Sequence, residues 1–212
     1  MKVKKFRIKP RLPVVGRWLK SFLSAKKIPV ELEESLPLEI QSVTSQLVPS
    51  ALYQTWTQGE IPAVLDNVLE ANGWDKAISV SVVVATVGSQ LEEKIAELLM
   101  KGETNRSQVL AAIGEESADL AFHFIFRLLT DDAKSDDCEV SEPLPLTDKD
   151  VLQESLQLLE ASQEGVGLDS AGHLSPRFTR VSLVAWWPAS KKKRLANLSK
   201  NPSFRRKPES RL

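Results

Sequence analysis

The segment Ile78-Ser-Val-Ser-Val-Val-Val-Ala85 constrains this chain more than any other. Apolar and polar residues alternate from Ile78 to Val82, and Val83-Val-Ala85 continues with no polar residue. Side chains of a strand point alternately to its two faces, so the pattern predicts a strand partly wet on one face at its start and buried on both faces further on. Thr86-Val-Gly88 then turns the chain, and Ser89-Gln-Leu-Glu92 has the spacing of a capping box, in which hydroxyl and carboxylate each satisfy a free amide at a helix start. Leu91, Ile95, Leu98 and Leu99 carry that helix to Gly102.

Further helices are expected where apolar residues recur at helical spacing. They cover residues 14–23 (Val15, Trp18, Leu19, Phe22), 38–48 (Leu38, Ile40, Val43, Leu47) and 61–72 (Val64, Leu65, Val68, Leu69). The longest begins at Thr104 or Asn105 and carries Val109, Ala112, Ile113, Leu120, Phe124, Ile125 and Leu128, with His123 packed among them or at their rim. Gly114 interrupts it at a cost of ~1 kcal/mol, and a glycine there records close packing against a neighbouring element. Residues 130–142 are acidic and polar and read as a loop. Thr147-Asp-Lys-Asp150 opens a last helix that closes at Glu164-Gly165. Residues 50–56, 166–174 and 179–187 read as strands, the last two joined around Ser175-Pro176-Arg177. Helices and strands mix without the regular alternation of a doubly wound sheet. The expected class is therefore α+β, with helices packed on a mostly antiparallel twisted sheet.

The chain of 212 residues is formally neutral, and this hides an asymmetry. Residues 1–27 hold ten Lys or Arg and no acid, and residues 190–212 hold nine against one acid, which leaves the middle at −18. We divide it into a basic N-terminal arm (1–13), an α+β domain (14–188) and a disordered basic tail (189–212). The tail also resembles the translated form of dispersed repeats that run into the ends of bacterial reading frames. Basic ends can contact nucleic acid or anionic membranes; here they read as solvated flanks of an acidic domain, with neither partner. The basic amphipathic helix over 14–23 is short enough to pack on its own domain rather than lie on a membrane. With no ~20-residue apolar run, no secretory signal and a single cysteine, Cys138, the chain reads as cytoplasmic.

Chemistry is sparse. The glycines at 165 and 167 lie at a helix-to-strand junction, the reverse of the order that aims amides at phosphate. No G-x-S-x-G, H-E-x-x-H or Cys-His pair occurs, and no metal-ligand spacing. Glu92-Glu93 and Glu115-Glu116 read as solvated helix surface. Of Trp186-Trp187, alternation sends one ring to the core and leaves the other to cover the sheet edge or stack on a ligand.

Several segments, taken in order, carry a resemblance: Glu31-Leu-Glu-Glu34, Pro49-Ser-Ala-Leu-Tyr53, Ala85-Thr-Val-Gly88 with Leu91-Glu-Glu-Lys94, Pro145-Leu146, and Gly165-Val-Gly-Leu-Asp-Ser-Ala-Gly-His-Leu-Ser-Pro-Arg177. Over residues 14–187 the chain resembles the activation domain of vitamin B12-dependent (cobalamin-dependent) methionine synthase. The resemblance implies a domain that binds S-adenosylmethionine and presents it for reductive methylation of a corrinoid, with cobalamin held only by the partner, a corrinoid protein or cobalamin-dependent methyltransferase. It implies no catalytic residue and no metal ligand on this chain. In the family an Arg-x-x-x-Gly-Tyr segment ahead of the Pro-Leu helix start grips the methyl donor. The matching stretch, Asp137-Cys-Glu-Val-Ser-Glu-Pro-Leu-Pro-Leu146, has neither Arg nor Gly-Tyr, and Glu139 or Glu142 would repel a carboxylate. Arg177 and Ser182 stand nearest to the family's Pro-Arg-Lys-Ser-Val-Ser turn, which is one residue longer here. Two alternatives stay open: a non-enzymatic scaffold that binds a corrinoid protein and has lost the donor site, and nucleic-acid binding through the basic ends.

Overall fold

The computed structural model describes residues 2–4 and 6–190; the tail discussed above lies, from residue 191 on, outside the described residues. The core is one antiparallel sheet. Across it run β1 (Lys2–Lys4), β2 (Ser50–Thr57), β3 (Ser79–Thr86), β8 (Thr179–Pro188) and β4 (Cys138–Val140), with β5 (Leu144–Pro145) also on β8. The class is α+β, as the sequence predicts.

β3 is buried from Val80 to Thr86 because helices cover both faces of the sheet. On one face α1 (Leu12–Phe22), α2 (Val30–Thr44), α4 (Gln90–Met100) and α5 (Thr104–Ser135) pack over Ala51, Tyr53, Val83, Ala85, Val184 and Trp186. On the other, α3 (Ala63–Ala71), α6 (Lys149–Leu158) and the 3-10 turn Ala161–Glu164 pack over Leu52, Val80, Val82, Val84, Val181 and Leu183. The wet start expected of β3 extends only to Ser79, which is half-buried, and is corrected from Ser81 on, which is fully buried. Its hydroxyl accepts the Trp186 indole N–H at 2.8 Å and sits 2.7 Å from the Thr55 hydroxyl, so the polar atoms are satisfied internally. Trp186 is the buried ring of its pair, and Trp187, on the opposite face, meets Trp74 edge-on at 6.0 Å.

Other sequence expectations shift for identifiable reasons. The helix expected over 38–48 runs Val30–Thr44 instead, with Pro37 inside it and Leu36, Ile40 and Val43 as its buried stripe; Leu38 is 70% exposed. Glu31 and Glu33 occupy its first turn, where the helix dipole favours them. The acidic loop over 130–142 is in large part ordered: α5 continues to Ser135 because Leu129 and Ala133 extend its buried face, and β4 follows. The strand expected over 166–174 is a small hairpin, β6 (Gly167–Leu168) with β7 (Leu174–Ser175). Asp169 breaks it by accepting the amides of Ala171 and His173, and the His173 amide first among these holds the carboxyl below its ordinary pKa. His123 is exposed, beside the Phe122 ring rather than packed in the core.

The arm is built into the domain through β1, through Phe6, which stacks on Phe124 at 4.4 Å, and through the start of α1, whose Val15 and Leu19 are fully buried. Among the described residues no helix is long and apolar enough to cross a membrane. The sequence signal at Gly114 has a direct cause: a Cβ there would stand 2.5 Å from the buried Phe178 ring.

Candidate functional site

At the start of β8 charges converge on α5. Arg180 donates to Asp119 at 2.9 Å and to Glu115 at 2.7 Å. Burial opposes its charge, but Glu115 and Asp119 outweigh burial and hold its pKa above the ordinary arginine value. Arg177 lies 3.7 Å from Glu115 and 5.4 Å over the Phe178 ring. Glu116 is 0% exposed and receives Arg11 Nε at 2.7 Å, and this bond and charge raise the Arg11 pKa. The reading of Glu115-Glu116 as solvated surface is thus corrected. Glu116 follows Ile113 and Ala112 on the buried stripe of α5, and a carboxylate on an apolar stripe is the signal that a buried ion pair leaves in a sequence.

The capping box is also corrected. The Ser89 hydroxyl donates to Glu93 at 2.7 Å, and Glu92 accepts the backbone amide of Arg177 at 2.9 Å. Glu92 therefore ties α4 to the turn before β8 instead of closing its own helix end.

Beside that turn is a cleft of about 360 Å³ lined by Val48, Pro49, Ser50, Thr86, Gly88, Ser89, Gln90, Glu164, Gly165 and Pro176. Three of the segments that carry the resemblance meet here. Gly88 makes the meeting sterically feasible, with φ of +83° and its Cα facing Val48. The polar atoms are mutually engaged: Ser50 donates to Glu164 at 2.7 Å, the Gly88 amide donates to the Thr86 hydroxyl at 3.2 Å, and the Thr179 hydroxyl donates to the Pro176 carbonyl at 2.7 Å. The lining polar groups are hydroxyls, the Gln90 amide and one carboxylate, with no imidazole, thiol or amine among them.

Arg177 and Ser182 are not brought together. Arg177, 53% exposed at its side chain, stands at the sheet's end. Ser182 is buried mid-strand opposite Val83 and Pro145, ~17 Å along the chain at strand rise. Residues 137–146, which lack the Arg-x-x-x-Gly-Tyr pattern noted above, run down β8 as its outer strand. The Ser141 amide donates to Ala185 O at 2.9 Å, its hydroxyl accepts the Ala185 amide at 3.1 Å, and the Leu146 amide donates to Val181 O at 3.1 Å. Glu142 is exposed, and Glu139 accepts the Ser190 amide at 3.3 Å. Past Leu146, α6 begins with the Asp148 carboxylate capping the Asp150 and Val151 amides. A second cleft of about 380 Å³ lies between α6, the 3-10 turn and β6, with Lys149, Gln153, Gln157, Ser162 and Asp169 around Leu156 and Val166. Among the described residues no group of His, Cys, Asp and Glu could hold a metal ion.

Among solved structures, the chain is similar to the crystal structure of the MetH reactivation domain bound to AdoHcy, with a TM-score of 0.61 and 13% sequence identity, over 90% of this chain and 79% of that one. At this identity the likeness shows a shared fold. No family model matches the sequence, and no curated protein matches it.

Proposed function

We propose that this chain is an accessory domain, working in the cytoplasm, that binds S-adenosylmethionine and supports reductive methylation of a corrinoid held by a partner protein. One observation carries the reading: almost the whole chain shares the fold of a reactivation domain bound to AdoHcy, which is S-adenosylmethionine without its transferable methyl. The methyl donor would supply the methyl group, and this chain would contribute position rather than acid, base or nucleophile. Residues 14–188 would act as the working unit, with 1–13 as an arm and 189–212 as a tail.

The fit to the donor is incomplete. Residues 137–146 offer no guanidinium for its carboxylate, so backbone amides on the outer edge of this stretch would have to replace it. That departure favours a second reading, in which the fold persists as a non-enzymatic scaffold for a corrinoid protein. Calorimetric titration of S-adenosylmethionine into the whole protein separates the two. The first reading expects saturable binding in the micromolar range with a rise in melting temperature. The absence of both heat and stabilisation at millimolar ligand would overturn it, and association with a corrinoid protein would then support the second.

A further inference from the structure

A groove of about 960 Å³ lies between α2 and the segment that follows β1. Phe6 and Ile8 line one side, Pro37 and Ile40 the other, and Leu47 and Val48 complete an apolar surface on which Val48 is 42% exposed. Arg7 and Lys9, both exposed, also line it, and no Asp or Glu does. Among the described residues neither cation enters an ion pair. Other described cations are unpaired too, Arg17 and Arg127 among them, but here two stand together on one apolar groove. An apolar trough with uncompensated positive charge in a chain whose middle is acidic calls for an occupant that is apolar on one side and negative beside it.

We propose that this groove docks an acidic amphipathic helix of a partner protein. Dimensions favour a helix. The α2 wall from Pro37 to Ser45 is ~12 Å long at helical rise. Two turns would fit, with apolar residues at i, i+3, i+4 and i+7 in the trough and Asp or Glu facing Arg7 and Lys9. Val48 and Pro49 line both this groove and the 360 Å³ cleft, so a docked helix would rest against the wall of the place where the resemblance segments meet. The inference rests on the proposed function only in taking the domain to act on a partner protein.

The test uses the full chain and a fluorescent helical peptide of about three turns, with leucines on one face and glutamates flanking them. Fluorescence anisotropy should show saturable binding that weakens about tenfold or more in an Arg7→Glu, Lys9→Glu double variant and with added salt. Gln41→Trp, at an exposed helix position on the groove, should block binding without changing the melting curve. A peptide with lysines for glutamates should bind about tenfold more weakly. Equal binding to the wild-type and charge-reversed chains, or equal binding of both peptides, overturns the proposal. So does self-association that Gln41→Trp abolishes, which would give the groove to a second copy, or displacement of the peptide by a fatty acid. Titrating the double variant with S-adenosylmethionine keeps the two readings apart, because lost peptide binding with unchanged donor binding supports the docking site alone. A chain silent to the donor that still binds the peptide overturns only the methyl-donor reading.

Discussion

The two ends of β8 are held in different ways. Its start is wedged and charged: Phe178 fills the notch at Gly114, and Arg177 and Arg180 are fixed by Glu115 and Asp119. Its later half is buried through Val184, Ala185 and Trp186, and outside it β4 and β5 join by backbone pairing in a stretch whose Asp137 and Glu142 are exposed. Close packing and paired charge make the first end costly to alter. The outer strands β4 and β5 can change their exposed side chains while keeping their backbone bonds.

The sharpest way to break this contrast is at the wedge. Phe178→Ala should cost about 3–5 kcal/mol, and Gly114→Ala about 1–3 kcal/mol by overpacking, both read from urea denaturation. Together they should cost less than their sum, since removing the ring makes room for the methyl; strict additivity would mean that the ring is free to move. Next comes Arg180→Gln, which leaves Glu115 and Asp119 without their shared cation and should cost about 1–3 kcal/mol. A melting curve identical to wild type would show that water already screens the cluster.

Tyr53 tests what holds α5 where the outer stretch begins. It is the chain's single tyrosine and donates to Asp132 near the end of α5. Burial first, and Asp132 second, push its pKa well above the ordinary phenol value. Because the folded value is raised, the stabilisation is complete below the ordinary tyrosine pKa and is lost as pH rises toward the folded one. Absorbance titration should show no phenolate in the ordinary tyrosine range until the protein unfolds; ionisation in that range would sink the assignment. The smallest effect on stability is expected at the second end. Glu142→Arg should leave stability within ~0.5 kcal/mol and tighten S-adenosylmethionine binding by supplying a guanidinium. Unchanged calorimetry would mean that the donor does not lie along this stretch.

How far the sequence carried depends on what each segment's pattern reports. The run 83–85 announced its own burial, and Gly114 announced its contact, because both signals are local. Ser81 and Glu116 were hidden because a buried polar atom is legible only with its partner, and Trp186 and Arg11 are each 105 residues away. The end of α5 was missed because acidic surface residues masked the continuing stripe of Leu129 and Ala133. At the cleft, each segment could be read alone, but their meeting depends on the sheet's registers and on Glu92 reaching the Arg177 amide.

The order of strands also has a consequence for synthesis. Among the described residues β8 follows every other strand, yet it lies between β3 on one side and β4 and β5 on the other. While the ribosome is still adding it, β3 shows an open apolar edge and β4 and β5 have no strand to join. Until β8 inserts, β3 keeps an unpaired edge open to association with other strands.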